Sequence, residues 1–352
     1  MLKVIEAFAG VGSQRMALRN LGIEHEVVGI FEIDKFALKS YEAIHGECPN
    51  LGDISKINVK DIPKHDLFTY SFPCQDLSVA GKQKGIVRGG TRSGLLYECE
   101  KIIEHCKPKY LLMENVKNLV GKKFKVQFDE WLAYLETLGY MNYWDVLNAK
   151  DYDIPQNRER VFVVSILGEH KPYEFPKPIK STKAFKDVLE DSVGEKYYLS
   201  EIVQQRFKQT NSDDGTKNII GTTAPPTRTI GQRDVVYGYN AKVMGALVAT
   251  DYKQPKQIIS YLNDDFTEYK IRKITPREAF RLMGMKDSDI DKIQQVELSN
   301  SQQYKIAGNS IVVDVLEGIF KELFLSEKEN NERDFEIVKL GNTEVEQFKW
   351  VI

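Results

Sequence analysis

At about 150 residues per domain, a chain of 352 residues divides into roughly two domains. Hydrophobic residues make up 42% and charged residues 28%, the balance of a globular protein with a sizeable core. The 49 Lys and Arg against 51 Asp and Glu give a formal net charge of −2, which excludes a strongly basic nucleic-acid coat protein but not an enzyme with a local basic cleft.

Residues 2–8 (LKVIEAF) read as a buried first strand, followed by a glycine turn and a helix over 13–21. Residues 26–32 (EVVGIFE) read as a second strand and 36–44 as a second helix. A strand at 67–71, a helix at 95–106, a strand at 110–114, a helix at 126–138 and strands at 143–147 and 161–166 follow. This rhythm predicts an α/β fold with a mostly parallel sheet and helices on both faces. Pro172, Pro176 and Pro178 then punctuate a connector, and the rhythm stops. Residues 196–275 are rich in Thr, Gln, Gly and Tyr and read as a smaller, mainly β domain. The stretch 196–277 carries 13 basic and 8 acidic residues. Helical patterning returns at 276–283 and 311–324, and residues 327–352 carry 7 acidic and 4 basic residues. The expected units are 1–195 completed by 301–330, then 196–300, then an extension at 331–352 without an assigned role.

Four cysteines, Cys48, Cys74, Cys99 and Cys106, show no C-x-x-C spacing. A disulfide framework and a structural zinc site are therefore not expected, and a reducing cytosol fits. No secretory signal and no apolar run of about 18 residues is found, so no membrane association is expected.

Several short motifs fall where strands end. Phe8-Ala9-Gly10-Val11-Gly12 sits where the first strand becomes a helix, and glycine there lets a ligand approach the backbone; a bare βα turn would look the same. Glu32 ends the second strand about twenty residues later, where an acid commonly holds ribose hydroxyls. Gly52-Asp53-Ile54 adds an acid that suits either an adenine or a simple turn. Ser71-Phe72-Pro73-Cys74-Gln75 follows the 67–71 strand, and Cys74 lies in a polar loop, unlike the other three cysteines, which read as inert. The loop 80–92 holds four glycines and four basic residues, Lys82, Lys84, Arg88 and Arg92, and fits a lid over a polyanion or a solvated loop. Glu114-Asn115-Val116 ends another strand; its glutamate suits hydrogen bonding in a cleft, and its asparagine suits a cap. In Gln156-Asn157-Arg158-Glu159-Arg160, strand alternation places Arg158 and Arg160 on one face. Two guanidiniums on one face suit phosphate or carboxylate recognition, and surface ion pairs with Glu159 suit the same text. Gly308-Asn309-Ser310 precedes the last apolar helix.

The ordered set F-A-G-V-G, E, G-D-I, P-C-Q, E-N-V, Q-N-R-E-R, R-E-A-F-R-L-M-G and A-G-N-S resembles the DNA (cytosine-5) methyltransferase family over residues 1–168 and about 270–324. The stretches SFPCQDLSVAGKQKG, RSGLLYE and MENVKNL look like the bacterial modification enzymes, mycoplasma-type enzymes that methylate CG among them. The resemblance implies a Rossmann-like S-adenosylmethionine-dependent methyltransferase fold with a smaller, mainly β target-recognition domain. It implies that Cys74 adds to C6 of a flipped-out cytosine and makes C5 nucleophilic. Glu114 would hydrogen-bond N3 and the exocyclic amine, and Arg160, with Arg158 more indirectly, would position the ring. C5 would attack the methyl of S-adenosylmethionine, leaving S-adenosylhomocysteine, with no metal. Phe8, Ala9, Gly10, Val11, Gly12, Glu32, Ile33, Asp53, Ile54, Pro73, Leu95, Asn309 and Ser310 would line the cofactor site.

Double-stranded DNA is the implied substrate, met by Gln75, Ser78, Lys82, Lys84 and Arg88 from the loop after Cys74. Gln232 or Arg233 in the recognition region would probe the gap left by the base or the partner guanine; an exposed loop reads the same way. Many family members carry a Thr-Leu pair near the end of that region, where this chain has Ala246-Leu247. A monomer acting in the bacterial or phage-infected cytoplasm, on the nucleoid, is expected. It would be the modification half of a restriction-modification system whose endonuclease it need not touch. Three rivals remain: a transfer-RNA cytosine methyltransferase, which usually carries a Cys-Phe-Thr tripeptide absent here; a catalytically silent DNA binder; and a nicotinamide-dependent dehydrogenase.

Overall fold

The computed structural model describes residues 1–73, 77, 92–209, 219–225, 234–262 and 268–326, with Arg92 and Gln209 by backbone alone. The first half builds β1 (Leu2–Ala7), α1 (Ser13–Asn20), β2 (His25–Phe31), α2 (Lys35–His45), β3 (Leu67–Tyr70), α3 (Leu96–Cys106), β4 (Tyr110–Val116), α4 (Lys125–Thr137), β5 (Tyr140–Asn148), β6 (Gln156–Asn157) and β7 (Glu159–Leu167). The larger sheet has the order β2-β1-β3-β4-β7-β5. β2, β1, β3 and β4 are parallel, as the alternation of strand and helix predicts, and β7 runs antiparallel to both β4 and β5. The reversal has a steric cause. A parallel crossover needs a dozen or more residues and usually a helix, whereas residues 149–158 hold only a short 3-10 turn and β6.

Side-chain alternation along the strands sorts the core into two layers. Val4, Leu67, Leu112, Phe162 and Val164 face the layer with Met16 and Leu18 of α1, Tyr41 and Ile44 of α2, and a late helix. Ile5, Phe68, Leu111, Met113, Val161 and Val163 face Ile102 and Ile103 of α3 and Phe128, Trp131 and Leu135 of α4. With both faces covered, the strands read as near-continuous apolar runs.

The second half adds α5 (Glu201–Gln204), β8 (Lys208–Gln209), β9 (Ile219–Thr222), β10 (Val235–Tyr237), β11 (Met244–Gly245), β12 (Gln257–Tyr261) and β13 (Tyr269–Lys273), then α6 (Pro276–Arg281), α7 (Asp287–Gln295), α8 (Asn300–Asn309) and α9 (Val313–Phe324). Five of these strands form a small sheet, β13-β12-β10-β9-β8, around Ile220, Val236, Ile259 and Ile271. The expected recognition segment 196–300 divides here: its last part, α6 and α7, packs into the large core through Phe280, Leu282, Ile290 and Ile293. Asp289 of α7, almost fully buried, accepts from Arg19 of α1 at 2.5 Å. The seam between small sheet and large core is a buried ion pair, Arg272 of β13 with Glu278 of α6, both N–O contacts within 2.8 Å. No helix among the described residues is long and apolar enough to cross a membrane.

Candidate active site at the carboxyl edge of the sheet

The chain leaves β1 through a turn in which Phe8, Gly10 and Gly12 all have positive φ, at 58°, 59° and 74°. Gly12 is required twice over: its backbone is left-handed, and a Cβ would lie 2.6 Å from both His45 Nε2 and Tyr41 Cε2. A Cβ on Gly10, by contrast, would meet nothing within 4 Å, so this turn opens onto free space. Ala9 and Val11 are buried in the core and offer a ligand only their backbone. His45 holds the Val11 carbonyl at 3.0 Å, and burial pushes its imidazole down to about 3, so it stays neutral.

Glu32 stands just past β2, facing that turn. Its Oε2 accepts the Gly10 N–H at 2.9 Å and its Oε1 accepts the Asp34 N–H at 2.6 Å. Burial raises its pKa against those hydrogen bonds. Ile33, beside it, is 76% exposed, a bare apolar surface next to a carboxylate. Asn50 fixes the backbone of Glu32, donating to its carbonyl at 3.0 Å and accepting its N–H at 3.3 Å. Asp53 accepts from the Ser55 hydroxyl and N–H, which hold its carboxyl below the usual range; Ile54 is buried in the core. The Ser71 hydroxyl, at the end of β3, is buried with no hydrogen-bond partner among the described residues.

The second cluster lies at the ends of β4 and β7. Antiparallel pairing sets Val116 opposite Arg160, two residues along from Glu114 and on the same face of β4. Arg160 Nε thereby reaches Glu114 Oε1 at 3.1 Å, with both side chains mostly buried. The segment leading to Cys74 is tied to this edge. Asn115 Nδ2 donates to the Phe72 carbonyl at 3.0 Å, Ser93 Oγ to the Pro73 carbonyl at 2.7 Å, and Asn118 Nδ2 to the Leu77 carbonyl at 2.5 Å. Leu95 is partly buried against the same core. Cys74, Gln75, Ser78, Lys82, Lys84, Arg88, Gln232 and Arg233 lie outside the described residues.

Arg158 and Arg160 do share a face and line one small crevice with Leu147, Phe162, Ile311 and Val312. Their partners differ. Arg158 is buried, donating to the carbonyls of Leu247 at 2.6 Å, Ser310 at 2.8 Å and Gly308 at 3.1 Å. It clamps three segments together, whereas Arg160 faces Glu114. Gln156 completes the clamp: its Oε1 accepts the Leu247 N–H at 2.8 Å and its Nε2 donates to the Leu282 carbonyl at 2.7 Å. Ala246-Leu247 thus sits where the second half of the chain returns to the carboxyl edge of the large sheet. Ser310 Oγ donates back to Ile306 at 2.9 Å, while Asn309 is exposed beside it.

Reading motifs one at a time misses Asn50, Asp34, Ser93 and the clamp of Gln156 and Arg158 on Leu247. The only local signal for Asn50 was an Asn two residues before a glycine, the pattern of an Asx turn. The others act across long sequence gaps. Among the described residues no cluster of His, Cys, Asp or Glu could hold a metal ion.

Known proteins resemble this chain in both sequence and fold. The profile of the C-5 cytosine-specific DNA methylase family matches residues 2–325. The type II methyltransferase M2.ScrFI of Lactococcus lactis subsp. cremoris is 42% identical over 383 residues, covering 93% of this chain and all of that protein. The type II methyltransferase M.NlaX of Neisseria lactamica is 35% identical, covering 92% and 96%. The fold is that of the Entamoeba histolytica methyltransferase EhMeth (TM-score 0.73, 20% identity, 92% and 98% covered) and of S. pombe Dnmt2 (TM-score 0.66, 21% identity, 94% and 100% covered).

Proposed function

We infer the reaction from one premise: this chain belongs to the C-5 cytosine-specific DNA methylase family and is a DNA (cytosine-5) methyltransferase. It methylates C5 of a cytosine that is rotated out of a specific duplex DNA sequence, through a covalent bond to Cys74. It serves as the modification half of a restriction-modification system. The observation that carries the mechanism is the pairing of Glu114 with Arg160 at 3.1 Å, beside Phe72 and Pro73, whose carbonyls Asn115 and Ser93 hold just before Cys74.

The residues present fit S-adenosylmethionine. Gly10 opens onto free space, Glu32 presents a carboxylate to ribose hydroxyls, Ile33 offers an apolar face to the base, and the unpartnered Ser71 hydroxyl lies at the neighbouring strand end. Gly12, Asp53, Pro73, Leu95 and Asn309 complete the lining, and Ala9, Val11 and Ile54 contribute backbone. Bound there, the cofactor supplies an electrophilic methyl group.

The chain's own residues do the rest. The Cys74 thiolate forms a bond to C6, and the C5–C6 π electrons move toward C5 and N3. Glu114 passes a proton to N3 as that charge arrives there and accepts a hydrogen bond from the exocyclic amine, and Arg160 holds the resulting carboxylate in place. After C5 has gained the methyl group, its proton passes to water, the double bond re-forms as the bond to Cys74 breaks and the thiolate leaves, and N3 returns its proton to Glu114. Arg158 keeps the recognition region and α8 against this edge without touching the ring.

Bisulfite sequencing of plasmid DNA from cells expressing the protein, beside a Cys74→Ser control, tests the reading. Protected cytosines in one recurring context, absent from the control, are the expected result and reveal the site. Soluble protein that protects none, or a control that protects as well as the wild type, overturns it. In the first case, methyl transfer to transfer RNA would identify the substrate instead.

A further inference from the structure

The helix that carries Asn309 has a second tie. Lys305 lies four residues before Asn309, hence on the same face of α8. Its Nζ donates to Asp34 Oδ2 at 2.6 Å, across 271 residues of sequence. Asp34 spends its other oxygen, Oδ1, on the Phe36 N–H at 3.0 Å, capping α2. Its own N–H donates to Glu32 Oε1, and Glu32 Oε2 takes the Gly10 N–H. An unbroken chain of polar contacts therefore runs from Lys305 through Asp34 and Glu32 to the glycine turn.

We propose that Lys305 and Asp34 form a latch that positions Glu32 for the cofactor, so that Lys305 is a positioning residue for cofactor binding although it lies outside every motif at that end of the sheet. The proposal rests on the assignment of Glu32 to the ribose. Without the latch, the Asp34 side chain keeps only the α2 cap, and the 32–34 backbone that presents Glu32 is held by Asn50 and by the Gly10 and Asp34 N–H groups on the Glu32 carboxylate, a less constrained arrangement. An ordinary surface ion pair would contribute little: Lys305 is 47% and Asp34 28% exposed, and water screens such a pair. The latch differs in what it orders, because Asp34 is joined directly to the Glu32 carboxylate. The hydrogen bonds from Lys305 and the Phe36 N–H also outweigh the burial of Asp34 and keep its carboxyl below the ordinary range. One turn further on, Arg158 holds the carbonyls of Gly308 and Ser310. The C-terminal half of the helix thus carries both the latch to Asp34 and the clamp to the 247 segment.

The test is isothermal titration of the full chain with S-adenosylhomocysteine, alongside steady-state methyl transfer. Lys305→Met is expected to weaken S-adenosylhomocysteine binding and raise the KM for S-adenosylmethionine by about fivefold, with kcat within about twofold of wild type. Lys305→Arg, which keeps the charge, should restore most of the affinity. Asp34→Asn combined with Lys305→Met should bind no more weakly than the weaker of the two single variants, since the two residues act as one unit. Raising the salt concentration should weaken binding by the wild type more than by Lys305→Met. Unchanged affinity in Lys305→Met, or an equal loss in Lys305→Arg, overturns the latch. A Glu32→Ala variant separates the two levels. If it binds as tightly as wild type, the ribose assignment fails and the latch with it. If it binds weakly while Lys305→Met does not, the latch alone fails.

Discussion

Glu6 is an acid in the middle of a core strand, fully buried, directly beneath the glycine turn. Tyr41 donates to its Oε2 at 2.7 Å and the Arg15 N–H to its Oε1 at 3.1 Å. These contacts do not offset its desolvation, and burial pushes its carboxyl up to about 7. Tyr41 and His45 are also the side chains that wall Gly12, so this cluster sets the floor of the glycine turn. The sign of the linkage follows from the raised value. Below the unfolded-state pKa of about 4.5, both states are protonated and the contribution of Glu6 is constant. As pH rises from there, the unfolded chain ionises while the folded chain holds its proton, so stability falls until the folded carboxyl also ionises near 7. The loss across that window is on the order of 3 kcal/mol. Glu6→Gln mimics the protonated carboxyl, so its urea midpoint should vary less between pH 4.5 and 7 than that of wild type. Parallel pH profiles for the two proteins would show that Glu6 is ionised in the native state.

At the level of elements, α8 packs tightly against the turn at 248–249. A Cβ on Gly308 would lie 2.4 Å from the Val248 carbonyl carbon and 2.5 Å from the Ala249 nitrogen. Those atoms are backbone and cannot swing aside. Gly308→Ala should therefore cost about 1–3 kcal/mol in urea unfolding, by forcing α8 away from the 248–249 turn. Gly194→Ala is the control: Gly194 has φ −66° and open space around it, so its stability should hold within about 0.5 kcal/mol. The same helix shows what a sequence can and cannot disclose. The strands of the first half, the turn after β1, and the acids past β2 and in β4 follow from apolar periodicity and from motifs contained in a few residues. The antiparallel setting of β7 does not follow from that periodicity, because alternation tells which face a residue takes and says nothing of strand direction; the short connection at 149–158 is what carries it. Nor does the placing of α6 and α7 in the large core, since an amphipathic helix does not name the surface it covers. The Lys305–Asp34 pair and the hold of Arg158 on Leu247, Gly308 and Ser310 span 89 to 271 residues. Only the folded chain brings them together, and no local spacing carries them.

Over the whole molecule, a net charge of −2 sets a constraint. A protein that is nearly neutral gains no general attraction to a polyanion, so DNA must be met by local concentrations of positive charge. Two stretches provide them: the 80–92 segment after Cys74, with four basic and no acidic residues, and the 196–277 segment, with 13 basic and 8 acidic. The first is tethered at both ends to the catalytic edge, by Asn118 on Leu77 and by Ser93 on Pro73. Each phosphate neutralised by a cationic side chain adds about 0.9 to the slope of log affinity against log salt on duplex DNA. If Lys82, Lys84 and Arg88 each meet one phosphate, replacing all three with Ala should flatten that slope by about 2.7 and weaken binding to cognate and unrelated duplexes alike. Fluorescence anisotropy with a labelled duplex between 50 and 200 mM salt, roughly the range over which such contacts dominate, measures it directly. An unchanged slope would mean that the segment after Cys74 reads or closes on the base without carrying the electrostatic contact, and that the recognition domain supplies that contact alone.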